Sequence, residues 1–417
     1  MLLTQSLAFP FKPPGCSHWL YPCCLLFCLF HLHRAAAAAA DGDGDDDDDD
    51  DGDDGDDVDD DDDDDDDGDD DDDGDEGRKN YFSASVPSLS VLDFQKCFLL
   101  TQPQAEELVN LLSACEWPTC KLEGWTVAHA VLASLWTLST LEPHGNIAAR
   151  FHTSESLIRL QLIDFCTLIT ENFADQIRWP KWKEAEASVA GFLTDVGLPG
   201  TICVLGSCSV PIDRPADVPD PEVYRDSVEN AYSVTLMAFC NHQGCFTFVN
   251  AEHPGNWHSS RVLLETEIGK ALQEDPLNLL HGKHVIGDGT FPLSEHLLTP
   301  FPDYGMLGEK KLRYNLRVQA ALRVVRGSLN SLRCRFQRLR CLQLNSVGQT
   351  GRAVKTCCIL YNMYLETDNA ASAESVEEQA NVQLPFHELP YGHSGSLGGI
   401  SKRQDIAASL GRKTKKR

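Results

Sequence analysis

From Asp41 to Glu76 the chain reads 28 Asp and one Glu without a single base. Like charges at this density repel one another, and Asp and Gly offer almost nothing to bury. The stretch is therefore expected to stay disordered, and any fold must form outside it. The run also carries the whole acidity of the chain. Of 64 acids 29 lie in it, which leaves 35 acids against 35 Lys and Arg, although the formal net charge is −29. The rest of the chain is neutral overall. Two readings of the run stay open: a phosphate-backbone mimic that docks on a basic surface, or a solvated repeat with no specific partner. It lacks the ligand spacing of a calcium loop. The remainder of a chain that is 42% hydrophobic can build a core of one or two domains. Composition excludes collagen, coiled-coil and multi-spanning membrane classes, and no membrane partner is expected.

Ahead of the run, Trp19 to Leu32 is apolar but too short to cross a bilayer. With Lys12 before it and Ala35 to Ala40 behind, it imitates a secretory signal; the other reading of residues 1–40 is an apolar extension. The 16 Cys include no CxxC pair matched by a second CxxC or HxxxH. Cys115/Cys120, Cys203/Cys208 and Cys240/Cys245 have four residues between them, which is weak evidence for zinc. Most of these thiols are expected to fill the core as small hydrophobes, while the count alone does not exclude disulfides.

Beyond the run the periodicity is informative. Ala105 to Leu141 has helical spacing, with Leu108, Leu111 and Leu112 on one face and Val127, Val131, Leu132, Leu135 and Leu138 on another. Asn146 to Phe151 predicts a short helix, His152-Thr153 a turn, and Ser154 caps a further helix through Leu162. This resembles a helix-turn-helix, although any small helical bundle has such corners. At Leu198-Pro-Gly200 the period changes. Thr201 to Leu205 reads as a buried strand and Val210 to Ile212 continues extended. Val234 to Cys240 and Cys245 to Asn250 read as a hairpin around Asn241 to Gly244, and His284 to Ile286 as a fourth strand. Arg261 to Leu272 predicts an amphipathic helix, and Lys311 to Arg340 a long helix with a weak spot at Gly327. The pattern describes a mixed α/β domain. Residues 367–417 turn polar and Gly/Ser-rich, a flexible basic tail containing Lys402-Arg403 and ending in Arg412, Lys413, Lys415, Lys416 and Arg417, a cluster fit for nuclear import or nucleic acid.

Several motifs then agree in order. Val285-Ile-Gly-Asp288, Phe291-Pro-Leu293 and Leu297-Leu-Thr-Pro300 resemble the "GDxxYPL…LLTP" signature of PIF/Harbinger transposases and the nucleases derived from them. Asn315, Arg323, Val324, Val325, Leu332, Arg333, Arg335 and Phe336 are similar to that family's "N…RxxVExxFGxLKxRF" helix. Cys358 to Asn362 is similar to its "LHN" end, and Ile177 to Pro180 to its "IxWP" link. The resemblance covers roughly residues 105 to 366. It implies a ribonuclease-H-like DDE nuclease domain at 200–366, behind a helical, helix-turn-helix-like domain at 80–199 and an acidic tract at 41–79.

In such nucleases clustered carboxylates hold two divalent cations, Mg²⁺ or Mn²⁺, which activate water and stabilise the leaving oxygen of a phosphodiester. Against the family pattern Gly206 stands where the first acid belongs, Ser259 where the second does, and Arg326 at the helical Glu position. Asp288 is the one acid retained, and so the one catalytic or metal-binding candidate. Asp213, Glu252 and Glu265 are the acids nearest in sequence that could refill the site. An arginine in the same pocket repels a cation by about 4 kcal/mol per unit charge at about 4 Å and an effective dielectric near 20. An inactive nuclease fold is therefore the expectation, with Asp288 paired to Arg326. A metal-dependent DNA endonuclease is the alternative.

From Lys310 to Arg340 the chain carries Lys310, Lys311, Arg313, Arg317, Arg323, Arg326, Arg333, Arg335, Arg338 and Arg340 and no acid. Such a stripe neutralises phosphates without reading sequence, unless its arginines pack against partners in the body. DNA is the expected partner. By resemblance a Myb/SANT-like DNA-binding protein is a second one. The expected location is the nucleus, with cytoplasm and secretion as alternatives.

Overall fold

The computed structural model describes residues 86, 89–118, 125–226, 230–368 and 395–410. The signal-like segment, the Asp run and the basic cluster Arg412 to Arg417 lie outside the described residues. From Val91 onward the chain forms one compact unit.

Its helices begin with α1 (Val91–Phe98), α2 (Gln102–Leu112), α3 (Val127–Ser139), α4 (His144–Arg150), α5 (Glu155–Asn172) and α6 (Trp182–Asp195). Among the described residues the periodic stretch from Ala105 to Leu141 is thus divided, with α2 and α3 as separate helices. The sequence around α3 has apolar or small residues on every face, and all of Ala130 to Ser139 is buried. Thr126 caps α3 by accepting from the His129 backbone N–H. The expected corner after it is present. α4 ends at Arg150, His152 turns the chain at φ 50°, and Ser154 Oγ accepts from Leu157 N at 3.3 Å to start α5.

A mixed sheet follows. β1 (Thr201–Ile212) is central and runs unbroken through Gly206, joining the two extended pieces seen in the sequence. β3 (Ala231–Cys240) pairs with it antiparallel, and β4 (Phe246–Pro254) continues the hairpin on the far edge of β3. The hairpin turns at Gly244, whose φ of 85° is open to glycine at little cost. A short β2 (Arg225–Asp226) shares that outer edge, against Tyr232 and Ala231. On the other side β5 (His284–Ile286) and β6 (Leu297–Leu298) run parallel to β1, giving the order β4-β3-β1-β5-β6. Strand β6 was not expected: two residues of "LLTP" are too short to show period-2 alternation.

Side chains alternate between the two faces of the sheet. Leu205, Met237 and Phe239 point into an apolar core completed by α6, α7 (Ser259–Glu265), α8 (Glu267–Glu274) and α9 (Pro276–Leu280). The single amphipathic helix expected from Arg261 to Leu272 is broken between α7 and α8. Thr266 adopts extended geometry there, and its Oγ1 accepts from Gly269 N at 3.0 Å, so it caps the second helix. The opposite face is covered by α10 (Glu309–Arg335) and α11 (Val347–Asp368). Helix α10 passes through Gly327 without interruption, and Gln337–Arg340 continues it as a 3₁₀ turn.

Two expectations need correction. The helices before residue 199 are not a separate body: α6 packs on β1, and α5 packs on α11, where Thr356 Oγ1 donates to Cys166 O at 3.2 Å. The tail is not flexible throughout. Leu397–Ser409 forms a helix, α12, capped by Ser396 Oγ and packed on α10 and β6. Polar composition concealed it because its inward stripe is Gly399, Arg403 and Ala407, which carries almost no hydrophobic signal.

Among the described residues no helix is long and apolar enough to cross a membrane. The described cysteines are free, and burial pushes the thiols of Cys166 and Cys203 up to about 12.

Candidate nuclease-like site

The parallel register of β1 and β5 pairs Val204 with Ile286. Gly206 and Asp288 each lie two residues further on, so they stand level, Gly206 midway along β1 and Asp288 just past the end of β5. This is where the resemblance puts two acids of a metal centre, and the strands do bring the two positions together.

What surrounds them is not a carboxylate cluster. A Cβ built on Gly206 would meet both γ-methyls of Val325 at 3.0 Å and Leu329 Cδ1 at 3.6 Å. The space a first-strand aspartate needs is thus filled by α10. On the other sheet face Ser207 Oγ and Ser259 Oγ share a hydrogen bond at 2.9 Å. The residue in the second acid's place is therefore satisfied by a neutral partner.

Asp288 is half-buried, and its Oδ1 accepts from the backbone N of Thr290 at 2.9 Å and from its hydroxyl. An aspartate that takes the N–H two residues on closes its own turn, a structural role requiring no metal. Arg326 follows Val325 on α10 and donates from Nη1 to Gln319 Oε1 at 3.2 Å. Burial pulls its guanidinium pKa down, and the attraction of Asp288 opposes that. The charges of Asp288 and Arg326 attract, while the hydrogen bonds described for them go to Thr290 and Gln319 and not to each other.

The acids that could have refilled the centre stand elsewhere. Asp213 lies past the end of β1, where its N bonds Leu342 O at 3.1 Å and its charge acts on Cys341. Glu252 lies on β4 against Gly351 of α11, and Glu265 ends α7 beside His253. Among the described residues no group of three or more His, Cys, Asp or Glu is gathered to hold a metal ion. Divalent Mg²⁺ or Mn²⁺ requires several oxygen ligands, so the side chains at this centre do not fit the two-cation arrangement that the resemblance implies.

The basic stripe divides when wound into a helix. Lys310, Lys311, Arg317, Arg323 and Arg340 are exposed. Arg313 pairs with Glu309, the acid just ahead of the stripe, and Lys311 Nζ lies 5.3 Å over the Phe301 ring. Arg317 Nη1 donates to Val196 O at 2.9 Å. The others turn inward. The charge of Arg333 acts on the Cys208 thiol of β1, opposing the rise that burial causes, and Arg335 donates to Leu99 O, where burial lowers its pKa to about 10. Arg338 is 2% exposed and donates to Thr137 O at 2.9 Å, Glu142 O at 2.6 Å and Gln343 Oε1 at 3.3 Å. Arg335 and Arg338 are therefore corrected from nucleic-acid contacts to structural ties: backbone carbonyls remote in sequence take up their donors.

The helix-turn-helix-like corner brings little positive charge. Arg159 is the one base in α5, and it is tied to Glu155 at 2.7 Å and to Gln343 O at 3.1 Å. Leu157, Ile158, Leu162, Phe165 and Ile169 of the same helix are buried.

With this geometry in view, comparison with known proteins is specific. Residues 205–362 match the family described as DDE superfamily endonuclease, a span holding Gly206, Ser259, Asp288 and Arg326. "Protein ALP1-like" of Arabidopsis thaliana is 23% identical over 272 residues, covering 63% of this chain and 64% of its own length. "Putative nuclease HARBI1" of Mus musculus is 27% identical over 267 residues, covering 62% and 73%. The protein of the same name in Xenopus laevis is 23% identical over 301 residues, covering 68% and 82%. The chain thus spans less than two thirds of the Arabidopsis relative. No solved structure matches it. Motif order and these relatives agree: residues 205–362 match the DDE superfamily endonuclease family, and the chain is similar to the Harbinger transposase-derived nucleases.

Proposed function

We propose that this chain is a domesticated, cleavage-silent relative of the Harbinger-derived nucleases that acts in the nucleus by binding DNA. The observation carrying the first half is the contact of Val325 with Gly206: the side of β1 that would carry the first metal ligand is closed by apolar packing. Arg326 at the helical acid position adds a positive charge beside the one retained carboxylate. A cation there would meet one half-buried carboxylate and an arginine, so binding would be weak. The strand order β4-β3-β1-β5-β6, with the hairpin antiparallel and the last two strands parallel to β1, supports a ribonuclease-H-like origin.

DNA binding is supported by the exposed cations Lys310, Lys311, Arg317, Arg323 and Arg340, which can neutralise phosphates without base contacts. The terminal cluster Arg412 to Arg417 supports nuclear import, and a Myb/SANT-like DNA-binding partner is part of the reading on the motif resemblance alone.

The test uses the full-length protein and supercoiled plasmid. Binding is expected to persist in EDTA and to weaken steeply with salt, and no nicking is expected with Mg²⁺ or Mn²⁺. Metal-dependent nicking that disappears in Asp288→Ala would establish the endonuclease reading instead. Absence of DNA binding at low salt would remove the second half of the proposal.

A further inference from the structure

Lys402 and Arg403 read in the sequence as part of a basic tail, yet both are docked. Arg403 is 9% exposed. Its Nη1 donates to Pro300 O at 2.8 Å and Thr299 O at 3.4 Å, and its guanidinium carbon lies 4.2 Å over the Phe301 ring. Lys402 Nζ donates to Glu295 O at 2.8 Å. Two carbonyls in line with an aromatic face form a receptor for a planar cation, through charge-assisted hydrogen bonds and cation–π attraction together.

The receptor is built without help from the helix that fills it. Asn315 of α10 clamps Phe301 from both ends of its peptide unit: Phe301 N donates to Asn315 Oδ1 and Asn315 Nδ2 donates to Phe301 O, each at 2.8 Å. Tyr314 packs edge-on to Phe301 with ring centroids 5.2 Å apart, and its hydroxyl donates to Thr299 O at 3.4 Å. The platform is therefore preformed by α10. Beyond Arg403, the tenant is held by polar ties, Lys402 Nζ on Glu295 O and Ser396 N on Leu293 O at 3.0 Å. Its buried stripe is Gly399, Arg403 and Ala407, so few apolar atoms leave water when it docks. Gly399 is required by contact, since a Cβ there would come within 2.7 Å of the Ser294 carbonyl carbon. Even Arg403 is incompletely satisfied, its buried Nε having no hydrogen-bond partner among the described residues.

We infer that the Thr299–Phe301 platform is an exchangeable arginine-recognition site for a helix with a Gly-x-x-x-Arg-x-x-x-Ala face, filled in cis by α12 and open in trans to the α12 of a second copy. The second copy is the occupant because α12 itself supplies the matching stripe. Exchange needs no new surface, as in domain swapping. The inference stands apart from DNA binding and from catalysis, and holds or fails without them.

The probe is a fluorescently labelled peptide of residues 395–410, titrated into the full chain and into its Arg403→Ala variant by anisotropy. Saturable binding is expected to both, tighter to the variant because its own helix is loosened. The same peptide with Arg403 replaced by Ala should bind about tenfold more weakly or worse. Phe301→Leu in the host should lower affinity for the native peptide and leave the Ala peptide unaffected. A full chain with a protease site placed between residues 369 and 394, cleaved before titration, gives the same reading if the Arg403→Ala host fails to fold. No binding to the cleaved host, or equal binding of the two peptides, overturns the inference.

Discussion

The two halves of α10 carry cations that look alike in sequence and end in opposite environments. Toward its start, Lys310, Lys311, Arg317 and Arg323 face solvent. Toward its end and in the turn beyond, Arg326, Arg333, Arg335 and Arg338 turn into the body, against Asp288, Cys208, Leu99 and Thr137. The dividing point is where the helix meets the sheet. There Val325 and Leu329 press on Gly206 of β1, and Ser328 Oγ donates to Gly244 O at 2.8 Å. Arg335 and Arg338, packed against the body, hand donors to backbone carbonyls, while Lys310 and Arg323 stay exposed to water or phosphate. A run of positive charge is therefore no measure of a positive surface.

That division can be broken most directly at Arg338. Replacing it with Ala leaves two buried carbonyls without their charged donor, and a loss of about 3 kcal/mol in unfolding free energy is expected. Chemical denaturation measures it; a change within about 0.5 kcal/mol would move Arg338 into the surface group. Next in size is Gly206→Asp, which forces a carboxylate against the Val325 methyls. It should cost about 2 kcal/mol, with part of the loss recovered in a Val325→Ala background. If Gly206→Asp is neutral and metal binding appears by calorimetry, the centre is open and the reading of it as closed by packing fails.

The contrast between buried and exposed groups also sets a pH dependence. Burial pushes the His284 imidazole down to about 3, with the Lys402 ammonium acting in the same direction. The unfolded chain takes up this proton near pH 6.5 and the folded chain refuses it until about pH 3. Between those limits the unfolded state binds more protons, so stability is complete above about pH 6.5 and is lost as pH falls toward 3. The loss is at most about 1.4 kcal/mol per pH unit. Melting curves from pH 7 to 4 should show it, and His284→Gln should flatten that part of the profile. The smallest stability effect belongs to Arg323→Ala, within about 0.5 kcal/mol, accompanied by a weaker DNA affinity and a salt slope shallower by about one unit. An unchanged salt slope would exclude Arg323 from the DNA face.

Much of the fold was legible because its signals are local. The hairpin turn at Asn241 to Gly244, the capped start of α5 at Ser154 and the motif around Asp288 each occupy a few consecutive residues, and all stand where the sequence put them. The break between α7 and α8 was not legible: a threonine within an amphipathic pattern shows its capping role only when its hydroxyl is seen on Gly269 N. Nor was α12, whose docking face is a glycine, an arginine and an alanine four residues apart. That spacing was present to be read, but hydrophobic periodicity does not weigh such residues.

The absence of a carboxylate at Gly206, Ser259 and Arg326, where the resemblance places acids, needed no coordinates, because a glycine, a serine or an arginine cannot become a carboxylate in any fold. Whether the vacated space stayed open, and which cations remained on the surface, depended on partners far away in the chain. Val325 reaches Gly206 across more than a hundred residues, and Arg338 and Arg403 find their carbonyl acceptors at Thr137 and Pro300. Burying a charge is favourable only where such acceptors converge, and convergence is a property of the tertiary structure.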